Sequence, residues 1–306
     1  MKQYPIVSIV FPNYNGGRQS LECVASIAKL SYSQNKLEVI VVDNNSTDGS
    51  VEKILKLKTK NLKLKIIRNK KNEGFAKAVN RGVKISSGNY LFITNNDVVL
   101  ERNCLENLLL FLLDHQDVGV VGAITYDRNK LTILHPAPRY NFYFGVFYDS
   151  KDTNTTQEAD WIPGSGLCTS RILWEKLGGF DEGFFFTYED LDFCLRAKKL
   201  GYKIIYYPKA ILWHSDGATI NRPEFVFFKY YQGYSGKLRL LLKHANFLQI
   251  TSSIFLQIVI FLPYRTLILK EKSAIPFFKS FIWNAMHLRD TIAKRREVNA
   301  IKNESI

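Results

Sequence analysis

The chain has 306 residues, 46% of them hydrophobic, and a formal net charge of +14. That length holds one large α/β domain with an appendage, or two ordinary domains. The apolar fraction excludes an intrinsically disordered chain. The charge is uneven: Phe225 to Ile306 carries 13 Lys and Arg against 4 Asp and Glu. A basic tail calls for an anionic partner, either a membrane surface or a nucleic acid. Cys23, Cys104, Cys168 and Cys194 have neither C-x-x-C spacing nor a His placed for zinc, and read as small core residues in a reducing compartment. Met1-Lys2 leads only into a short apolar run ending at Pro12-Asn13, which is not a secretory leader pattern, so the expected location is cytoplasmic.

Along the first 125 residues, short apolar runs alternate with amphipathic stretches. Ile6–Phe11, Leu37–Val42, Leu62–Ile67, Tyr90–Thr94 and Val118–Ile124 read as strands, and 18–30, 48–58, 75–86 and 101–115 as helices. Alternation at this spacing predicts a mostly parallel α/β sheet with helices on both faces. Residues 127–158 lack a period and read as a long surface excursion. Beyond a Gly-rich turn, Gly164-Ser165-Gly166, the pattern predicts a helix over Tyr188–Leu200 capped by Gly201, then strands at Tyr202–Tyr207 and Ala210–Trp213. In the tail, Phe247–Leu262 is 16 residues without a charge, stopped by Pro263-Tyr264-Arg265. That is short of the ~18–20 residues a spanning helix needs, and its flanks are basic: Lys237, Arg239 and Lys243 before it, Arg265, Lys270 and Lys272 after. The pattern suits a helix lying in a membrane interface, or a buried C-terminal helix.

In such sheets ligands bind at the carboxyl ends of the strands. Pro12-Asn13-Tyr14-Asn15 follows the first strand, Asp43-Asn44-Asn45-Ser46 the second and Asn95-Asn96-Asp97 the fourth, so three polar clusters share one rim. At Asp43 a carboxylate either accepts a hydrogen bond from a base or ribose, or closes an Asx turn. Asp97 either holds a divalent cation on a diphosphate or ends its strand in a turn. Glu189 and Asp190 open a helix, where acids favour the dipole, but the preceding Phe184-Phe185-Phe186-Thr187-Tyr188 would raise a carboxylate's pKa and suit it as a base. Asp192 and Arg196 are spaced to pair. His214 is either a metal or phosphate ligand or a structural histidine. Gly74, ahead of a helix, would let backbone amides approach a phosphate.

Taken in order, these clusters resemble family 2 glycosyltransferases of the GT-A fold over roughly residues 5–220. The matching stretches are Val10–Asn15, Val42–Ser50, Asn72–Ala76 running on to Asn80-Arg81-Gly82, Asn95-Asn96-Asp97, Gly178–Glu182 and Glu189–Asp192. Gly-Gly-Phe-Asp-Glu, Glu-Asp-x-Asp and a later His resemble the rhamnosyltransferase-like branch in particular. The resemblance implies a GT-A catalytic domain over 1–224 and a helical, basic, membrane-associating region over 225–306. It places Pro12, Asn13, Tyr14, Asn15, Asp43, Asn45, Asn72, Gly74, Asn80, Asn96 and Asp97 at the nucleotide sugar. Trp161, Gly164, Ser165 and Gly166 fall to the acceptor. Asp97 and His214 fall to a divalent metal, Mg²⁺ or Mn²⁺, although Asn95 lacks the carboxylate the family's D-x-D motif has there.

Asp190 is then the expected base, with Glu189 supporting it. The implied activity is inverting and non-processive: a rhamnose-like or other hexose passes from a nucleoside-diphosphate sugar to a glycan or lipid-linked acceptor in cell-surface polysaccharide synthesis. No Gln-x-x-Arg-Trp motif of the processive branch is present. The expected partners include the cytoplasmic membrane face, met peripherally through the tail, and no nucleic acid, because the tail is as apolar as it is basic. The alternative is a catalytically silent nucleotide-sugar-binding scaffold.

Overall fold

The computed structural model of the chain describes residues 4–57, 62–128, 131–215 and 225–301. Strands β1 (Val7–Asn13), β2 (Leu37–Asp43), β3 (Lys63–Arg68) and β4 (Tyr90–Thr94) pair in parallel in the order β3-β2-β1-β4. Helices α1 (Gly17–Ile27), α2 (Ser50–Leu55) and α3 (Phe75–Lys84) connect them. The last residue of the helix expected over 48–58, Lys58, lies outside the described residues. Alternate strand residues feed two cores. Val7, Ile9, Phe11, Val39 and Val41 face Val24 and Ile27 of α1 and Leu108 of α4 (Cys104–Asp114). Val10, Ile40 and Val42 face Val79 and Val83 of α3. Helix α3 lies so close to the sheet that a Cβ on Gly82 would collide with Val10 and Val42.

After β5 (Val98–Leu100), α4 and β6 (Val118–Asp127), the expected excursion is built from very short pieces. These are β7 (Ile133–Leu134), a ribbon of β8 (Arg139–Asn141) and β9 (Val146–Tyr148), and β10 (Gln157–Glu158). Strands of two or three residues are too short to show a period. Because this route contains no crossover helix, β11 (Gly166–Ser170) enters antiparallel between β4 and β6. Parallel pairing resumes between β6 and β12 (Lys203–His214), so the sheet as a whole is mixed. Strand β12 joins the two strands read separately from the sequence; Pro208 sits in the bulge between Tyr207 and Ile211, where a strand tolerates the missing N–H. Helices α5 (Arg171–Leu177) and α6 (Glu189–Lys199) cover the second core.

The tail forms α7 (Val226–His244), α8 (Phe247–Leu256), α9 (Ala274–Met286) and α10 (Leu288–Ala300). The expected boundary at 224/225 adjoins residues 216–224, which lie outside the described residues. Two expectations about the tail are corrected. First, Pro263 does not stop α8: π-helical turns at Gln257–Phe261 and Tyr264–Ile268 carry it on, giving an unbroken 22-residue helix to Ile268. A π turn re-pairs the carbonyls that proline leaves. The result is long and apolar enough, by length and composition, to cross a membrane. Second, Arg239 and Lys243 do not face outward. Arg239 forks onto Asp181 at 2.9 Å and reaches Asp290 at 2.6 Å, while Lys243 bridges Asp181 at 2.6 Å and Asp192 at 2.5 Å. Both side chains are fully buried, so this part of the basic charge locks α7 onto α6 instead of meeting an outside anion.

Candidate active site

The carboxyl ends of β1, β2 and β4 open onto a cavity of about 230 Å³. Pro12, Tyr14, Asn44, Asn72, Gly74, Phe75, Asn95 and Asn96 line it, and Phe185, Phe186, Phe225 and Phe228 close its far wall. Phe228 packs edge-on to Phe185 at 5.2 Å, so the first turn of α7 completes the cavity. The spacing of the tail offers no signal for that contribution.

Below the floor lies a polar strut. Asn13, in register with Asp43, donates to Asp43 Oδ1 (3.1 Å), Ser46 Oγ and Ser50 Oγ, and accepts from Ser20 and Asn96. Its side chain is fully buried and saturated, so the expected ligand contact at Asn13 is corrected to a structural one. Asp43 Oδ2 accepts the Ser46 N–H at 3.2 Å, which realises the Asx turn. Asn45 sits exposed in the left-handed region (φ 68°), and its neighbour Asn44 lines the cavity in its place. Asn15 lies outside the lining; its Oδ1 accepts the Thr47 N–H at 2.8 Å and ties the first two loops together.

Gly74 does not present amides to a ligand. A Cβ there would strike the Phe185 carbonyl, and the Phe75 N–H already donates to that carbonyl at 2.6 Å. Asn72 keeps its place in the lining while its Oδ1 accepts the Gly74 N–H at 3.0 Å. Asn80 is elsewhere: it exchanges hydrogen bonds with the backbone of Phe180 (2.9 and 2.8 Å) and lines a separate cavity of about 490 Å³ behind α6. It pins the Gly178–Glu182 loop and is removed from the nucleotide set.

Asp97 and His214 do meet. Strand β5 pairs antiparallel with the end of β12, setting His214 opposite Val98 and bringing its Nε2 to 3.0 Å from Asp97 Oδ1 and 3.1 Å from the Asn95 amide. One carboxylate oxygen and one imidazole nitrogen are a partial donor set for a hard divalent cation, which fills its remaining positions with phosphate oxygens and water. Among the described residues no group of three such side chains forms.

Asp190 stands in the first turn of α6, 8% exposed. Its Oδ2 accepts the Gly164 N–H at 2.9 Å and its Oδ1 accepts the Leu191 N–H at 2.8 Å. A Cβ on Gly164 would strike the ring of Phe75, which lines the cavity, so Gly164 lies between Asp190 and that ring. Gly166 pairs with Thr94 at the end of β4, and Thr94 donates to the Ser165 carbonyl at 2.8 Å, which fastens the 164–166 turn beside Asn95 and Asp97. Before the helix, Thr187 and Tyr188 are both left-handed (φ 67° and 73°), a costly conformation for a β-branched and an aromatic residue that the surrounding packing enforces. Tyr188 stacks on Phe147, which in turn lies against Trp161; the Trp161 Nε1 is buried without an acceptor.

Three acids in one helical turn have different electrostatics. Burial, opposed by the Gly164 and Leu191 amides and by His135, leaves Asp190 pushed up to about 6. Burial and the adjacent Asp190 charge push Glu189 well above the usual range, and among the described residues its Oε2 has no partner. Burial acts on Asp192 too, but Arg196, Lys243 and His244 outweigh it and hold that carboxyl well below the usual range. The expected Asp192–Arg196 pair is present at 2.9 Å. His135, on a φ of 49° with its ring 5.7 Å from Trp161, also belongs to this surround and was hidden in the unpatterned excursion.

A family model described as Glycosyl transferase family 2 matches residues 8–175. The chain is 31% identical over 236 residues to the glycosyltransferase GlyG of Streptococcus pneumoniae, covering 72% of this chain and 74% of that protein. It is 27% identical over 230 residues to the probable glycosyltransferase YdaM of Bacillus subtilis, and spans 53% of that relative's length. Among solved structures it resembles the mannosyltransferase PcManGT of Pyrobaculum calidifontis in complex with GDP-Man and Mn²⁺ (TM-score 0.59, 19% identity, 99% of this chain and 89% of that one). It also resembles S. aureus TarS 1-349 in complex with UDP-GlcNAc (TM-score 0.62, 17% identity, 97% and 84%). At these identities the structural likeness speaks for the fold.

Proposed function

The chain belongs to glycosyl transferase family 2 and is a transferase with a GT-A-like fold, and from that premise we propose an inverting, non-processive transfer of a hexose from a nucleoside-diphosphate sugar to a glycan or lipid-linked hydroxyl. The observation that carries this reading is the Gly164 amide, which holds Asp190 one glycine away from Phe75, a lining residue of the cavity rimmed by Asn95 and Asn96. Tyr14, Asn44 and Asn72 surround the base and ribose, and the Asn13 strut holds Asp43 beneath them.

Asp190 takes the proton of the acceptor hydroxyl while that oxygen forms its bond to the anomeric carbon. The bond from that carbon to the diphosphate breaks in the same step, the nucleoside diphosphate leaves with the electron pair, and the configuration inverts. Asp97 and His214 would hold a divalent cation, Mg²⁺ or Mn²⁺, which when bound neutralises charge on the diphosphate. The acceptor enters over Trp161 and Gly164–Gly166, facing Asp190. Gly178–Glu182, Glu189–Asp192 and His214 support placement in the rhamnosyltransferase-like branch, while PcManGT and TarS are solved with GDP-Man and UDP-GlcNAc respectively. The tail brings the enzyme to a membrane as a peripheral protein on the cytoplasmic side. The division into a catalytic unit over 1–224 and a membrane-associating unit over 225–306 is part of this reading, with α7 shared between them through Phe225 and Phe228.

A screen of nucleoside-diphosphate sugars by thermal shift, with and without Mn²⁺, tests the donor half of the reading. Stabilisation that deepens with Mn²⁺ in wild type and loses its Mn²⁺-dependent part in Asp97→Asn is the expected result. An unchanged Mn²⁺ increment in Asp97→Asn would remove Asp97 from the metal site.

A further inference from the structure

We propose that Lys237, Ser253 and Arg265 form a binding site for a lipid-borne phosphate beneath the tip of the β8–β9 ribbon, next to the active-site turn. The inference rests on the membrane part of the function proposed above and names the chemistry that the tail recognises there.

Helix α8 is built inside out. Phe247, Leu248, Phe255, Ile258 and Val259 are exposed, while Ser253 and Gln257 face inward and are buried. A helix on a water-facing surface shows the opposite arrangement. Across from that polar inner face lies Lys237 of α7, 8% exposed. It makes no hydrogen bond or ion pair among the described residues, and the charged group that acts on it is another cation, Arg265. The contrast within α7 is informative, because Arg239 and Lys243 are matched by Asp181, Asp192 and Asp290. A cation buried without an anion costs several kcal/mol of lost solvation, or else sheds its proton. Burial and Arg265 accordingly draw the Lys237 amine down to about 7.

Other polar atoms around α7 and α8 are also left without partners. Among the described residues the Ser253 Oγ and the Ser235 Oγ are both buried and unbonded. Gly145, left-handed at φ 60°, has no side chain, and a Cβ there would collide with both Ser253 Oγ and the end of Lys237, so these two groups converge on that position. Arg265 reaches the Tyr234 hydroxyl at 3.4 Å and stands 3.8 Å from Glu271. The Lys237 amine and the Ser253 hydroxyl meet at the Gly145 position, and Arg265 is near enough to act on the Lys237 charge, a set of donors that suits a phosphate. The neighbouring surface says what the phosphate is attached to: the ribbon tip exposes Tyr143 and Phe144 beside the exposed apolar side of α8, a surface for acyl or prenyl chains. The site is coupled to catalysis by contact, since Gly236 packs on Tyr188, two residues before Asp190. Two sources carry this chemistry: the headgroup of an anionic phospholipid, or the phosphate that joins an acceptor glycan to its lipid.

The test is flotation of the whole protein with three vesicle types: phosphatidylcholine alone, phosphatidylcholine with phosphatidylglycerol, and phosphatidylcholine with a polyprenyl diphosphate. Wild type is compared with Lys237→Met, which keeps the aliphatic stem, and with Lys279→Met, which removes an exposed lysine. Wild type should prefer the anionic vesicles, and Lys237→Met should lose about tenfold of that preference, a charge-assisted hydrogen bond's worth. Lys279→Met should lose less than about twofold of it, as one screened surface charge does. Loss in both anionic arms assigns the site to bulk headgroups, and loss confined to the polyprenyl diphosphate arm assigns it to the acceptor. Equal behaviour of Lys237→Met and wild type overturns the proposal while leaving membrane binding intact. If wild type floats with no vesicle, the membrane reading fails and takes the site with it. Donor binding in the same preparations, expected to be unchanged in Lys237→Met, separates either failure from a misfolded variant.

Discussion

Glu189, Asp190 and Asp192 sit within one turn, yet their carboxyl groups differ because their neighbours differ. Asp192 has Arg196, Lys243 and the His244 imidazole around it, Asp190 accepts two amides, and among the described residues the Glu189 Oε2 has no hydrogen-bond partner. Asp192 is held ionised well below neutral pH, whereas Asp190, pushed up to about 6, is poised to exchange a proton near it. Because its pKa is raised to about 6 and a base works ionised, transfer should be low below pH 5, rise through about 6 and level off above 7. A rate profile that stays flat from pH 5 to 8 with donor saturating would contradict the assignment. Of the residues expected at the nucleotide sugar, Pro12, Tyr14, Asn72, Gly74 and Asn96 line the cavity, and the expected Asp97–His214 pair meets, because strand ends and the strand–helix turn place most of them. Asn45 was read for Asn44 because one residue of phase decides which side chain enters the cavity past a strand end. Asn13 and Asn80 carry the right residue type, but whether a buried amide faces a ligand or the protein depends on partners 30 to 100 residues away.

At the scale of elements, α7 connects the tail to the chemistry. It docks through Arg239 and Lys243 on Asp181 and Asp192, and these acids flank the loop and helix that carry Asp190. Removing one partner of such a buried network leaves an uncompensated charge, which costs about 3–5 kcal/mol. Lys243→Met should therefore lower the urea midpoint sharply, and a midpoint within experimental error of wild type would refute the clamp. Burial acts against the ionised forms of Asp181 and Asp192, but their cations outweigh it and depress both groups. Their stabilisation is thus present above the ordinary carboxylate range and lost as pH falls through it, so the variant's deficit should shrink in acid. Sequence pattern recovered the longer strands and the helices of the first 125 residues and the helix over 188–200, while the tail reads as helical without the bounds of α7, α9 and α10. It missed the β8–β9 ribbon, which is too short for a period, and the continuation of α8 past Pro263, where π turns absorb the breaker. A basic, apolar tail reads the same in sequence whether its cations face lipid or buried acids.

At the scale of the whole molecule, the exposed apolar residues gather on the tail helices and the ribbon tip, from Phe247 to Met286 and at Tyr143 and Phe144. A surface of that kind marks an interface. Replacing Leu267 and Ile268, both largely exposed, with Ser should weaken vesicle flotation by about tenfold or more, at about 0.8 kcal/mol per methylene withdrawn from the membrane, without changing donor binding. Undiminished flotation would move the contact elsewhere. On the other side of α7, Phe185, Phe186, Phe225 and Phe228 close the cavity proposed for the donor, and Gly164 joins Asp190, the proposed base, to Phe75 in its lining, so the proposal brings donor and base together. That convergence is the central claim, and a single-turnover assay of Asp190→Asn with a bound donor measures it most directly. The account predicts transfer reduced by about 10²–10⁴-fold with donor affinity within twofold of wild type; transfer at the wild-type rate would contradict it.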